Sequence, residues 1–206
     1  MKIINYQNSK LWDVCDERHK AMCKLAPNWF VGLLYELAKK RDLSYLKIAV
    51  ETGTHRGDTT KLLSDSFDKV YSIEKYFNNN WYGDKSLLDL YEIIQSEKPN
   101  INIKLGDSID HLKLILNKYP SEPIMFLLDA HNGPDGADMG SNGPIKQELE
   151  IIRDNSNNTN HVIIIDDWVD FSTIHSELKS IIMDINPSYK ISETNFGRGI
   201  TIAHEW

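Results

Sequence analysis

Short apolar runs alternate with segments of helical periodicity over most of the chain. The apolar runs predict five β-strands, at Lys47–Glu51, Lys69–Glu74, Asn102–Leu105, Ile124–Asp129 and His161–Asp166. Strands that alternate with helices form parallel sheets through right-handed crossovers. Nearly continuous apolar runs are typical of strands that are buried on both faces. The pattern therefore predicts an α/β protein with a doubly wound, mostly parallel sheet.

The two ends of the chain differ from this alternation. Leu11–Leu25 and Trp29–Arg41 have the periodicity of amphipathic helices. Tyr189–Glu193 and Ile200–His204 read as two strands joined by Asn195–Gly199, which contains two glycines and is typical of a hairpin turn. The predicted fold is thus a Rossmann-like sheet of seven strands that ends in an antiparallel hairpin.

The bulk properties are those of a folded protein with one core. The 206 residues, 41% hydrophobic and 26% charged, predict a single domain. Within it, residues 1–43 would form a helical lid or a dimer face, and residues 44–206 the core. The net charge of −7 argues against a nucleic-acid partner, because phosphate binding needs clustered Lys and Arg. No apolar run could span a bilayer and no signal peptide is recognisable, so we expect a cytoplasmic protein without a membrane partner.

The first predicted strand leads into a glycine-containing turn, Glu51–Gly57, at the edge where open α/β sheets bind ligands. A dinucleotide fingerprint that began at Gly53 would place its other glycines where the chain has His55 and Asp58. Asp58 would also repel a pyrophosphate at the start of the next helix. An NAD or FAD site is therefore disfavoured.

Two more polar features follow predicted strands. Glu74 ends the second strand, where an acidic residue can accept hydrogen bonds from a ribose diol. Gly106–Ser108 follows the third strand as a polar turn that could contact an adenine edge. A ligand with an adenosine and no phosphates would use both features as well as the first turn. S-adenosylmethionine is such a ligand, and its positive sulfonium suits an acidic crevice.

These residues resemble the motifs of class I S-adenosylmethionine-dependent methyltransferases, over most of the chain from about Leu46 onward. Glu51-x-Gly53-x-x-x-Gly57 resembles their first motif, Glu74 their ribose-binding acid, and Gly106–Ser108 their adenine-side turn. The terminal hairpin resembles the reversed last strand of that fold. The resemblance implies a set of cofactor-binding residues: Glu51, Gly53, Thr54, Gly57, Thr59, Thr60, Glu74, Asp107, Ser108 and Asp129.

Three aspartates follow the fourth and fifth strands, which are expected to be neighbours. Asp129, Asp166 and Asp167 would repel one another there, and a hard divalent cation would remove that conflict. The alternative is that Asp166 or Asp167 caps a helix or bonds backbone amides. Trp168, the next residue, is interpreted as a packing residue, with stacking on a sugar ring as the alternative.

The aspartates resemble those of the macrocin and novobiocin type of sugar O-methyltransferases, in which such a set holds magnesium. That resemblance implies Asp129, Asp166 and Asp167 as metal ligands, and it places the general base where this chain has His131. Imidazole is suited to that role, although His131 could equally be a loop residue or a further metal ligand. The glycine-rich segment Gly133–Gly143 could close over the acceptor.

The predicted function is methyl transfer to a sugar hydroxyl of a glycan or a glycosylated small molecule, with Asp129 and His131 as the catalytic residues and with Mg²⁺ or another divalent cation. Glu148–Glu150 and its surroundings also resemble a branch of bacterial and viral methyltransferases linked with surface glycans; a viral member would work in the host cytoplasm. Three alternatives stay open: a metal-dependent O-methyltransferase of a catechol-like diol, a metallohydrolase, and a non-catalytic binding module of the same fold.

Overall fold

The computed structural model describes residues 42–75, 87–130, 143–157, 160–194 and 199–205. The strands in this part of the chain are β1 (Ile48–Thr52), β2 (Lys69–Glu74), β3 (Ile101–Leu105), β4 (Ile124–Leu128), β5 (Val162–Ile165), β6 (Lys190–Thr194) and β7 (Ile200–His204). The helices are α1 (Asp58–Ser66), α2 (Leu87–Glu97), α3 (Ser108–Lys118), α4 (Ile145–Asn155) and α5 (His175–Ile185), with a 3₁₀ turn at Trp168–Phe171. None of these helices is long and apolar enough to cross a membrane. Both predicted N-terminal helices and most of the glycine-rich segment lie outside the described residues.

All seven strands belong to one sheet, in the order β3-β2-β1-β4-β5-β7-β6. Strands β1 to β5 pair in parallel, whereas β7 runs antiparallel to both β5 and β6. This confirms the predicted fold class, and each predicted strand lies within one residue of its predicted ends. The tip of the hairpin, residues 195–198, lies outside the described residues.

Helices cover both faces of the sheet, and β1 shows how the sequence divides them. Successive residues of a strand point to opposite faces. Ile48 and Val50 pack with α3, α4 and α5 in one hydrophobic cluster, while Ala49 packs with α1 and α2 in the other. The next two residues, Glu51 and Thr52, continue this alternation at the carboxyl end of the strand.

The strand order reverses between β1 and β4. Strands β2 and β3 lie on one side of β1, and β4 and the strands after it lie on the other side. Ligand crevices of open α/β sheets open at this point, beyond the carboxyl ends of the strands. All left-handed backbone in the described residues lies at this edge of the sheet: Gly53, His55, Gly57, Gly106, Gly143, Asp167 and Gly199. Among the described residues, left-handed backbone conformations are therefore confined to the edge where a site is expected.

Candidate functional site

The turn after β1 is held by the end of β2. The amide of Gly53 donates to the carbonyl of Ile73 (2.9 Å), and the amide of His55 donates to Oε2 of Glu74 (2.7 Å). His55 has a φ of 47°, an uncommon value for a residue with a side chain. Burial lowers the pKa of the His55 imidazole, against the opposing charge of Glu74. Glu74, predicted to bind a ribose, thus also fixes the conformation of the turn.

Two glycines of this turn are required by contacts within the protein. A Cβ on Gly53 would lie 2.6 Å from the carbonyl oxygen of Asp129, and a Cβ on Gly57 would lie 2.6 Å from Cδ1 of Ile94. Both glycines have positive φ, 88° and 73°. Packing against β4 and α2 therefore demands both glycines, whether or not a ligand approaches the turn.

Glu51 lies beneath the turn, in a cluster of buried polar side chains on the α1 face. Its Oε2 accepts hydrogen bonds from the hydroxyls of Thr60 and of Ser72, the latter at 2.6 Å. Ser72 also lies 2.6 Å from the hydroxyl of Thr54. Burial raises the pKa of Glu51 to about 8, against these hydroxyl donors and with a further contribution from Asp129. Glu51 and Thr60, both expected to contact the cofactor, contact each other in this cluster, and Thr59 is half-buried in the first turn of α1.

The turn after β3 brings Asp107 beside the end of β2. Asp107 is the N-cap of α3, where its Oδ1 accepts from the amide of Ile109 (3.0 Å). Its Oδ2 lies 3.1 Å from Nζ of Lys75, the residue after Glu74. The amide of Gly106 donates to the carbonyl of Glu74 (2.9 Å). The residues predicted to contact ribose and adenine thus lie on adjacent turns of the same edge.

Glu148 was not among the predicted site residues, yet it lies beneath the same edge on the opposite face from Glu51. It is fully buried in the first turn of α4, and its Oε2 accepts from the hydroxyl of Thr52 (3.3 Å). Burial raises the pKa of Glu148 to about 7, against the hydroxyls of Ser108 and Thr52 and with the charges of Asp107 and Asp129 adding to the rise. A sequence signal existed, because the helical spacing from Ile145 assigns this glutamate to the buried face of α4.

The three predicted metal ligands follow neighbouring strands, as expected. The amide of Asp129 donates to the carbonyl (3.1 Å) and the hydroxyl (3.3 Å) of Thr52. Oδ1 of Asp166 accepts from the amide of Asp167 (2.8 Å), and Asp167 has a φ of 51°. Across the described ranges, no group of three or more His, Cys, Asp or Glu side chains is arranged to hold a metal ion. The arrangement therefore does not support the magnesium prediction; His131 lies outside the described residues.

Trp168 is a packing residue. Its ring is buried and stacks on His175, with centroids 4.2 Å apart and an angle of 5° between the planes. Nε2 of His175 donates to the carbonyl of Trp168 (2.7 Å). Stacking of this indole on a sugar ring, the alternative interpretation, is wrong.

Carboxyl groups dominate the electrostatics of the edge. Burial raises the pKa of Glu51 and of Glu148, and nearby carboxylates raise them further: Asp129 and Glu74 for Glu51, and Asp107 and Asp129 for Glu148. Mutual repulsion of this kind disfavours further negative charge and favours a neutral or positively charged ligand.

No protein-family model and no curated protein matches the chain. Among solved structures, a precorrin-6Y C5,15-methyltransferase from Geobacter metallireducens is similar, with a TM-score of 0.50 and 10% identity over 77% of this chain and 78% of that one. A spermidine synthase in complex with the transition-state analogue AdoDATO also gives 0.50, at 12% identity over 79% of this chain and 54% of that one. An SAH-bound methyltransferase from Podospora anserina gives a TM-score of 0.48, at 10% identity over 77% of this chain and 71% of that one.

The chain has the fold of class I methyltransferases. At these identities the likeness shows the fold alone, and the neighbours include a synthase as well as methyltransferases. Since one fold can host many reactions, the chemistry has to be argued from the site.

Proposed function

We propose that the chain is an S-adenosylmethionine-dependent methyltransferase that acts on a sugar hydroxyl. The observation that carries the proposal is the carboxyl edge of the sheet, where Glu74 holds the Gly53–Gly57 turn and Asp107 lies on the next turn. A carboxylate at the end of β2 beside a glycine turn suits a ribose diol. The surrounding acidic groups suit a ligand that carries a positive charge.

The start of α1 argues against the phosphate-bearing alternatives. Asp58 is the first residue of the helix, and its carboxylate lies 3.4 Å from Nζ of Lys61. Helix N-termini attract phosphates through their exposed amides, and an acidic side chain at that position opposes this attraction. The proposed cofactor has an adenosine and no phosphate, so it avoids this repulsion.

The protein's part in the reaction is to align the reactants and to accept a proton. S-adenosylmethionine supplies a methyl group that is already activated on a positively charged sulfur. Glu74 and Asp107 would bind the adenosine, while Asp129 at the end of β4 would face the transferred carbon. Alignment of reacting atoms can supply a large share of the rate enhancement.

The proposed transfer balances without an additional reactant. With S-adenosylmethionine bound, the acceptor oxygen would form a bond to the methyl carbon as the carbon–sulfur bond breaks, and the sulfur would keep the electron pair. The hydroxyl proton passes to the imidazole of His131, the proposed general base. His131→Ala should therefore lower kcat far more than it lowers cofactor affinity.

Isothermal titration with S-adenosylhomocysteine and S-adenosylmethionine tests the cofactor. We expect Glu74→Ala to weaken the binding of both compounds by about tenfold or more, since the substitution removes hydrogen bonds to a charged group. Asp107→Ala should weaken them as well. Asp110→Ala is the matched control, because Asp110 is an exposed acid in the first turn of α3 and should leave binding unchanged. A wild-type protein that binds neither compound would refute the proposal in favour of a non-catalytic module.

The acceptor is tested by methyl transfer to panels of sugars and of catechol-like diols, followed by mass spectrometry. The preference for a sugar hydroxyl is supported by the resemblance at Asp129, Asp166 and Asp167. Turnover on diols alone would show that the acceptor is a catechol-like diol and not a sugar. The magnesium prediction is tested separately by adding EDTA. Unchanged turnover would show that no metal ion is required and would leave the methyltransferase proposal intact.

A further inference from the structure

Glu148 is the buried charged group for which the fold gives no structural reason. It lies in the first turn of α4 with no exposed surface. Its Oε2 accepts a hydrogen bond from Thr52 at 3.3 Å, and the hydroxyl of Ser108 also interacts with the carboxyl. Its Oε1 is buried and, among the residues that the structure describes, has no hydrogen-bond partner.

Such a carboxyl lowers the stability of the fold. A buried polar atom without a hydrogen-bond partner destabilises the folded state, and more so if the group is charged. No nearby cation offsets that cost in the described part of the chain, since Lys146 on the same helix pairs instead with Glu177 (2.5 Å). The charges of Asp107 and Asp129 make the burial still less favourable. An apolar side chain of similar length would fill the same space without these penalties.

The hydrogen bond from Thr52 links Glu148 to the end of β4. The hydroxyl of Thr52 donates to Glu148 and accepts from the amide of Asp129 (3.3 Å). The carbonyl of Thr52 accepts from the same amide (3.1 Å). On its other side the Asp129 backbone abuts Gly53 so closely that a Cβ there would lie 2.6 Å from its carbonyl oxygen. Thr52 therefore couples a buried carboxyl of α4 to the position of Asp129.

We propose that Glu148 is a positioning residue, which orients the hydroxyl of Thr52 and through it holds Asp129 in place for binding of the adenosyl cofactor. The inference rests on the proposed function, because it assigns the purpose of Glu148 to the same site. It explains why a carboxyl is kept where a methionine would pack better. Outer residues that orient a site commonly change affinity by about tenfold or more when they are removed.

The experiment measures S-adenosylhomocysteine affinity by isothermal titration and thermal stability by calorimetry, in the full chain. Glu148→Met should weaken binding by about tenfold while the Tm stays the same or rises. A purely structural residue would lose stability instead. Thr52→Val should weaken binding by a similar factor. Glu150→Met, the same change two positions along α4, is the matched control and should leave affinity unchanged.

The double variant Thr52→Val/Glu148→Met decides whether the two residues act together. If Glu148 acts through Thr52, the double variant binds no more weakly than either single variant. Losses that multiply in the double variant, or a Glu148→Met protein that binds as tightly as wild type, would overturn the inference. If the wild type itself fails to bind, the proposed function and this inference fail together; if only the variants behave otherwise than expected, the inference alone fails.

Should Glu148→Met not fold, two further variants carry the test. Glu148→Gln keeps an oxygen that can accept from Thr52, so its affinity should stay near that of the wild type. Thr52→Val alone must still weaken binding, and unchanged affinity in that variant would contradict the coupling.

Discussion

Alanine at Gly53 should destabilise the protein much more than alanine at Gly57, although the two positions look equivalent. Both have a positive φ, and an added Cβ at either position would meet an atom at 2.6 Å. The obstacles differ. At Gly53 the added atom meets the carbonyl oxygen of Asp129 and, at 3.0 Å, its carbonyl carbon, whereas at Gly57 it meets the end of the Ile94 side chain.

The backbone strain is common to both variants and the displaced atoms are not. A left-handed conformation costs a residue with a side chain about 1–2 kcal/mol. At Gly53 the ends of β1 and β4 must also separate, and overpacking of this kind adds about 1–3 kcal/mol. The expected loss for Gly53→Ala is therefore about 2–5 kcal/mol, or a fall in Tm of about 4–20 °C for a chain of this size. For Gly57→Ala, rotation of one terminal methyl relieves most of the contact, so the loss should stay near about 1–2 kcal/mol.

Urea denaturation followed by circular dichroism measures both losses, and a second substitution separates their causes. Ile94→Val removes the Cδ1 atom that Gly57→Ala would strike, so the combined loss should be smaller than the sum of the single losses. No side-chain substitution can relieve Gly53→Ala in this way, because its obstacle is backbone. If Gly57→Ala loses as much stability as Gly53→Ala, the distinction between the two obstacles is wrong.

Two buried titratable groups should give opposite pH dependences of stability. Burial raises the pKa of Glu51 to about 8 from an ordinary 4.5, so its contribution to stability is full at low pH and is lost as the pH rises through that interval. Glu51→Gln should therefore gain stability relative to the wild type between pH 5 and pH 8, as measured by urea denaturation. If the free energies of unfolding of the two proteins differ by the same amount at both pH values, the assignment to Glu51 is wrong. Burial lowers the pKa of His161 to about 4 from an ordinary 6.5, so its stabilisation is present above 6.5 and is lost as the pH falls towards 4. His161→Gln should flatten that acid limb, and an unchanged limb would show that another group is responsible.

The sequence was sufficient for the strands and for the edge of the sheet that carries the site. Runs such as Val162–Ile165 are apolar throughout, and a strand buried on both faces needs that composition. The rule that carboxyl ends of parallel strands share an edge then placed Glu74, Asp107 and Asp129 together. Both inferences depend only on local pattern and on topology.

The sequence was not sufficient to say which acidic residues near this edge are buried in the protein. Glu51 precedes the glycine turn as a binding residue would, but the alternation of β1 turns it towards Thr60 and Ser72. The other polar residues of α4 are half-buried or exposed, and only the spacing of Glu148 from Ile145 marks it as buried. Burial of a single carboxyl depends on how neighbouring helices pack, and that information is spread over residues far apart in the chain.

The place of β7 between β5 and β6 has a consequence for how the sheet is completed. Synthesis delivers β6 before β7, yet β7 is the one strand of the described residues with which β6 pairs. Until Ile200–His204 emerges, β5 presents an open edge of four apolar residues, the kind of surface on which unfinished chains associate. A translation product interrupted before Ile200 would keep that edge indefinitely, so we expect such fragments to aggregate even though every residue of the proposed cofactor site has already been made.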